Sequence, residues 1–183
     1  MKLPRVFLLS LAAGIFGVLL LAGVSRFDSG APPAPSPVSK SLLDGVAVRE
    51  QIGLADVARI RAEGYRTLID LRPDGEAPGQ PPAAAVREAA EKAGLTFAYI
   101  PTPNGAIPQS RPEELARVLA NSDKPVLLYC RSGSRAARVW ALAEAARTDG
   151  APASAIAAAV RAAGQKVDDL LPQIDTLVAQ RAR

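Results

Sequence analysis

Histidine is absent from all 183 residues, cysteine and tryptophan occur once each, and aromatic residues make up only 4% of the chain. Without histidine there is no Cys-His or Ser-His dyad, and the commonest transition-metal ligand is missing. One cysteine excludes an internal disulfide and a thiolate-cluster metal site. With 49% apolar residues but so few aromatics, alanine supplies much of the apolar count, as in small-faced helices. A net charge of +4, with no basic stripe interleaved with aromatics, argues against a nucleic-acid partner and leaves small anions open. The length suits one domain. No metal or organic cofactor is implied. The chemistry must come from a lone thiol, carboxylates, arginines and backbone amides.

The first 45 residues read as address and tether. Lys2 and Arg5 precede an apolar run over residues 6–24, broken only by Ser10 and glycines. A membrane span needs about 20 mostly apolar residues, whereas a signal-peptide core usually stops at about 7–15. Basic residues on the N-terminal side leave that end, residues 1–5, in the cytoplasm. The expectation is one transmembrane anchor holding an exported domain on the periplasmic side of a bacterial inner membrane. The alternative is a signal peptide cleaved near Ala22 and Gly23, which also exports the domain. Residues 25–45 form a linker, proline-rich over 29–39 and stiff enough to hold a domain off a surface.

From Val46 onward, short apolar runs alternate with helical stretches. Strands are expected over 46–48, 65–71, 96–100 and 125–129, the last continuously apolar as in a strand buried on both faces. Helices are expected from about 54 to 62, then over 82–93, 112–120, 134–147 and 153–163. In a final helix Val167, Leu170, Leu171, Ile174, Leu177 and Val178 share one stripe, most simply as a face packed on the domain. This alternation predicts an α/β domain over 46–183, with a mostly parallel central sheet and helices on both faces.

Open parallel sheets bind ligands at the carboxyl ends of their strands. There sits Cys130-Arg131-Ser132-Gly133-Ser134-Arg135, between the most buried strand and a helix. Backbone N–H groups in such a turn converge on one spot with the positive end of the helix dipole. A free thiol has a pKa near about 8.5, and helix N-termini with nearby arginines lower it. Gly133 permits a turn that a side chain would obstruct, and Arg135 offers a planar fork to an oxyanion. A buried structural cysteine is the plainer account of Cys130. The glycine, serines and arginines that follow favour a reactive thiol. Asp70, Arg72, Asp74 and Glu76 lie past another strand end. Pro73-Asp74-Gly75 reads first as a turn. If one of the four acts, Arg72 is the candidate anion contact.

The loop CRSGSR resembles the active-site loop of rhodanese-type sulfurtransferases, a cysteine, four residues and a basic residue. Cysteine phosphatases use histidine, cysteine, five residues and arginine. Tyr129 and Ala136 stand where their histidine and arginine would be. The remainder of the domain resembles the phosphatases more. The string GYRTLIDLRPDGEAPGQP (residues 64–81), followed by AGLTFAYIP and PVLLYCRSGSR, is similar to a bacterial family. That family is the phosphatase-like domain associated with beta-lactamase-fold hydrolases and often labelled a sulfurtransferase. The resemblance spans roughly residues 46–171 and implies a three-layer, protein tyrosine phosphatase-like fold.

Two features favour sulfur chemistry. The loop is the shorter one, and the loop after the 96–100 strand offers Asn104 where phosphatases place a proton-donating aspartate. The first reading is therefore a sulfurtransferase. Cys130 becomes a persulfide from a small anionic donor such as thiosulfate or another persulfide, and a thiol or cyanide accepts the sulfur. Cys130 and Arg135 would be catalytic, with Arg131, Ser132, Gly133, Ser134 and Arg72 binding the substrate. The second reading is a phosphatase working through phosphocysteine at Cys130. The third is a non-catalytic anion-binding or redox-sensing module.

Overall fold

The computed structural model of the protein describes residues 38–181. The anchor expected over residues 6–24 and most of the linker lie outside the described residues. Among the described residues, no helix is long and apolar enough to cross a membrane.

The chain builds a five-stranded sheet in the order β1-β2-β5-β3-β4. Four strands are parallel: β2 (Val46–Arg49), β3 (Thr67–Asp70), β4 (Thr96–Tyr99) and β5 (Val126–Tyr129). Strand β1 (Lys40–Ser41) pairs antiparallel with β2 and covers one sheet edge. The sequence reading has no strand there, because two residues are too few to show a period. The helices are α1 (Asp56–Ala62), α2 (Ala83–Lys92), α3 (Ser110–Ala120), α4 (Ser134–Ala146), α5 (Ala153–Ala162) and α6 (Leu171–Arg181).

Each residue of β5 is buried, and successive side chains enter different layers. Val126, Leu128 and Cys130 join one apolar cluster, whereas Leu127 and Tyr129 join the other. This is the two-residue period of an extended strand continued one position beyond its end. The first cluster packs residues of α3 to α6 against the sheet, and the second packs residues of α1 and α2. The expected helix–sheet–helix layering is present. Helix α4 is buried along nearly its whole length, with Ala136, Ala137, Ala141, Ala143 and Ala145 letting neighbours approach closely. Alanine is also abundant in α2 and α5, so small faces recur in several helices.

The tail departs in one detail from a single helix. A 3-10 turn, Asp168–Leu170, precedes α6. Pro172 has no N–H and is tolerated in a helix only within its first turn, so regular helix begins beside it. Val167, Leu170 and Ile174 are buried, so the apolar stripe packs on the domain as expected.

Arg49, Tyr129, Asp70 and Tyr99 are aligned across β2, β5, β3 and β4. Four strand ends therefore finish level, and the loops that follow open on one side of the sheet.

Candidate active site

Cys130 leaves the middle of the sheet, is almost wholly buried, and lies at the base of an open cleft of about 290 Å³. The loop that follows turns sharply at Gly133, whose φ of 83° is in the left-handed region, and α4 begins at Ser134. A Cβ at Gly133 would stand 3.3 Å from Gln165 Nε2 and 3.5 Å from the Arg49 carbonyl, contacts that a small shift of Gln165 relieves, so it is the backbone conformation that favours glycine here.

The loop's carbonyls are engaged away from the thiol. Arg131 O accepts from Gln51 N, Ser132 O from Gln165 Nε2, and Gly133 O from Ala137 N. Among the described residues, no protein acceptor takes the N–H groups of residues 131–136. These include the orphan donors of a helix N-terminus, where the positive end of the helix dipole favours an anion.

Arg135 reaches across to the other loops. Its Nη1 donates to the carbonyls of Thr102 at 2.9 Å and Leu71 at 3.3 Å, and its Nη2 pairs with Glu76 at 2.8 Å. Its Nε is buried without a partner. A guanidinium pinned by two backbone carbonyls has little freedom left, so it is preorganised beside the thiol.

Of the residues expected to form the site, Cys130, Arg131, Ser132, Ser134 and Arg135 line the cleft. Gly133 shapes the loop from behind and faces a neighbouring hollow with Arg49 and Gln165. Arg72 is not brought to the cleft. It is buried, with Nε on Glu76 at 3.0 Å and Nη1 on Gln51 at 2.7 Å, so it acts on Glu76 and not as the expected direct anion contact. Asp74 is the turn residue the sequence suggested. Its Oδ1 accepts the Ala83 N–H and so caps α2, and its own N–H donates to the Tyr99 hydroxyl.

Sequence reasoning left out Arg138, which lines the cleft one turn beyond Arg135 and clamps Asp169 with two bonds of 2.7 Å. Its spacing of three from Arg135, on a helix starting at the cysteine loop, was the available signal. The carbonyls of Leu71 and Thr102 carry no sequence signal. Asn104, Gly105 and Ile107 from the loop after β4 also line the cleft.

Beneath the site, Asp70 lies in the buried layer beside Tyr129. Burial pushes its carboxyl up to about 6, against the hydrogen bond from Arg72 N–H that favours the charged form. The Tyr129 hydroxyl is buried without a hydrogen bond of ordinary geometry; burial first and the Asp70 carboxylate second push it upward, so it stays a neutral phenol. Elsewhere, a hollow of about 430 Å³ at the opposite end of the sheet is lined by Asp44, Lys124, Glu144 and Arg147. Their charges are already paired with one another.

Residues 39–147, more than half of the chain, match the sequence profile of the family described as beta-lactamase hydrolase-like protein, phosphatase-like domain. The chain belongs to this family. It is 35% identical over 99 residues to the beta-lactamase hydrolase-like protein of Xylella fastidiosa strain Temecula1, which covers 54% of this chain and 23% of that protein. The match therefore spans about a quarter of that curated relative. Among solved structures, a candidate phosphatase from Neisseria meningitidis Z2491 is similar over 75% of this chain and 96% of its own, with 29% identity and a TM-score of 0.65. The active form of Tk-PTP is 18% identical, covers 78% of this chain and 97% of its own, and superposes with a TM-score of 0.58, a likeness of fold.

These findings overturn the sulfurtransferase reading and its rhodanese-like activity. Family and structural relatives point to cysteine-based phosphatases. Physically, loop length was the weaker discriminator. A persulfide sulfur is a poor hydrogen-bond acceptor, whereas this loop presents a set of unpaired N–H donors and a guanidinium, which phosphoryl oxygens use better.

Proposed function

We propose that the chain is a cysteine-dependent phosphatase that forms a phosphocysteine at Cys130. The observation that carries this reading is the cleft in which a buried cysteine meets the unpaired N–H groups of residues 131–136 and a pinned Arg135. The amides of Arg131 to Arg135 and the Arg135 guanidinium hold the phosphoryl oxygens. The Cys130 thiolate attacks phosphorus, an S–P bond forms, and the P–O bond to the leaving group breaks. Water then attacks phosphorus, the S–P bond breaks, and inorganic phosphate leaves. Donors fixed in advance around the developing charge supply most of the rate acceleration.

Ser132 and Ser134 flank the oxygens as further polar contacts, and Gly133 keeps the loop's curvature. Arg72 supports the site through Glu76. The thiol is required because the chain has no histidine to activate a serine. From Lys2, Arg5 and the apolar run of residues 6–24 we also propose export of the domain on a membrane anchor, which a reporter fused after residue 183 would place on one side of the membrane or the other.

Phosphate release from p-nitrophenyl phosphate by the full chain tests the activity. Turnover that disappears in Cys130→Ser supports it. Turnover retained by the serine variant, or none by the parent protein, refutes it.

A further inference from the structure

Three guanidiniums line the cleft of Cys130, and two of them are already paired, Arg135 with Glu76 and Arg138 with Asp169, which leaves Arg131 without a counter-charge among the described residues. Glu76 is held by two of the chain's arginines at once, Arg135 at 2.8 Å and Arg72 at 3.0 Å. The loop after β4 contributes Asn104, whose amide has no proton to give, and the chain has no histidine. Among the described residues of the lining, therefore, no acid stands free to protonate a departing oxygen. Arg131, meanwhile, is exposed, and its side chain has no hydrogen bond or ion pair among the described residues.

The absence of an acid limits what can leave. An alkoxide is, like hydroxide, a far stronger base than a phenoxide or a phosphate and does not depart unprotonated. A phenoxide, with a parent pKa of about 10, is intermediate. A phosphate group, with a second pKa of about 6, departs as a stable anion. Arg131 supplies a free cationic fork to the cleft, which is what a second phosphate needs.

We propose that the scissile bond is a phosphoanhydride, and that Arg131 receives the departing phosphate. The inference rests on the phosphatase reading and adds its substrate class. Cys130 Sγ bonds to the terminal phosphorus, and the P–O bond to the bridging oxygen breaks. The electron pair leaves on that oxygen, with no proton taken from the protein. Water then displaces the thiolate from phosphorus and its proton passes to solvent, so one anhydride and one water give two phosphate groups and a proton.

The test compares kcat/KM of the full chain for inorganic pyrophosphate, p-nitrophenyl phosphate and glycerol 3-phosphate. The expected order puts pyrophosphate at least tenfold above glycerol 3-phosphate. In Arg131→Gln, which breaks no contact within the protein, the ratio of pyrophosphate to p-nitrophenyl phosphate should fall about tenfold. Equal rates for pyrophosphate and glycerol 3-phosphate overturn the proposal, as does an equal loss on both probes in the variant. If none of the three is turned over, the phosphatase reading itself fails and takes this proposal with it. Turnover of p-nitrophenyl phosphate with no preference for pyrophosphate defeats only the substrate class.

Discussion

Tyr129 and Cys130 are neighbours in sequence and occupy opposite worlds in the fold. Both are buried at the end of the same strand, but Tyr129 enters the layer with Ala47, Ile52 and Leu127, while Cys130 enters the layer beneath α4 and opens on the cleft. On the tyrosine side, one carboxylate and one phenol sit in an apolar layer. On the cysteine side, the thiol shares a cleft with arginines, beside a loop whose N–H donors have no protein acceptor among the described residues. One residue of pleat separates a buried apolar layer from an open cleft lined by arginines. The position before the cysteine is thus a core position.

This contrast predicts unequal consequences on the two sides. The largest effect belongs to Cys130→Ser, which should lower phosphatase kcat/KM by at least about a thousandfold, since a nucleophile and its partners act as a unit. Thermal melting should move little, and a serine variant that retains activity would break the contrast at once. Next, Arg135→Lys loses the planar fork that spans Thr102 O, Leu71 O and Glu76. A drop of about a hundredfold in kcat/KM is expected, comparable with removal of one oxyanion donor.

On the tyrosine side the effects should appear in stability. Asp70 is raised by burial from 3.8 to about 6, so between those values the folded state holds a proton that the unfolded state has released. Stability contributed by that proton is present at low pH and lost as pH rises through about 6. Asp70→Asn keeps an oxygen for the Arg72 N–H and removes the titration. It should flatten the stability profile between about pH 4 and 6 and add about 2 kcal/mol at pH 7, read by urea unfolding across pH. The smallest change is Tyr129→Phe, which deletes a buried hydroxyl lacking an ordinary partner. Stability should rise by up to about 1 kcal/mol, with kcat/KM kept within about twofold. A hundredfold loss there would place the phenol in the chemistry and erase the distinction.

Much of the fold was legible because it is carried by local pattern. The run of residues 125–129 reads as a doubly buried strand, Gly64 and Gly94 follow helix ends, and strand–helix alternation gives the parallel sheet. The cysteine loop was legible because glycine, serines and arginines after an apolar strand have few other uses. What escaped depends on distant parts of the chain. Leu71 and Thr102 act through their carbonyls, which every residue has, and only the tertiary fold brings them to Arg135. Arg72 looked like an anion contact from its position past a strand end, yet Glu76 and Gln51 take its donors. The choice of chemistry went wrong for a related reason. Loop length is visible in sequence, whereas the direction in which the loop's amides and carbonyls point is not.

The central claim is that Cys130 carries the phosphoryl group. Acid-quenching the full chain during turnover of p-nitrophenyl phosphate, followed by peptide mass analysis, tests it directly. The account predicts one phosphoryl adduct on the peptide containing Cys130 and none in the Cys130→Ser variant. Phosphate release that continues with no adduct, or an adduct on another residue, would contradict it.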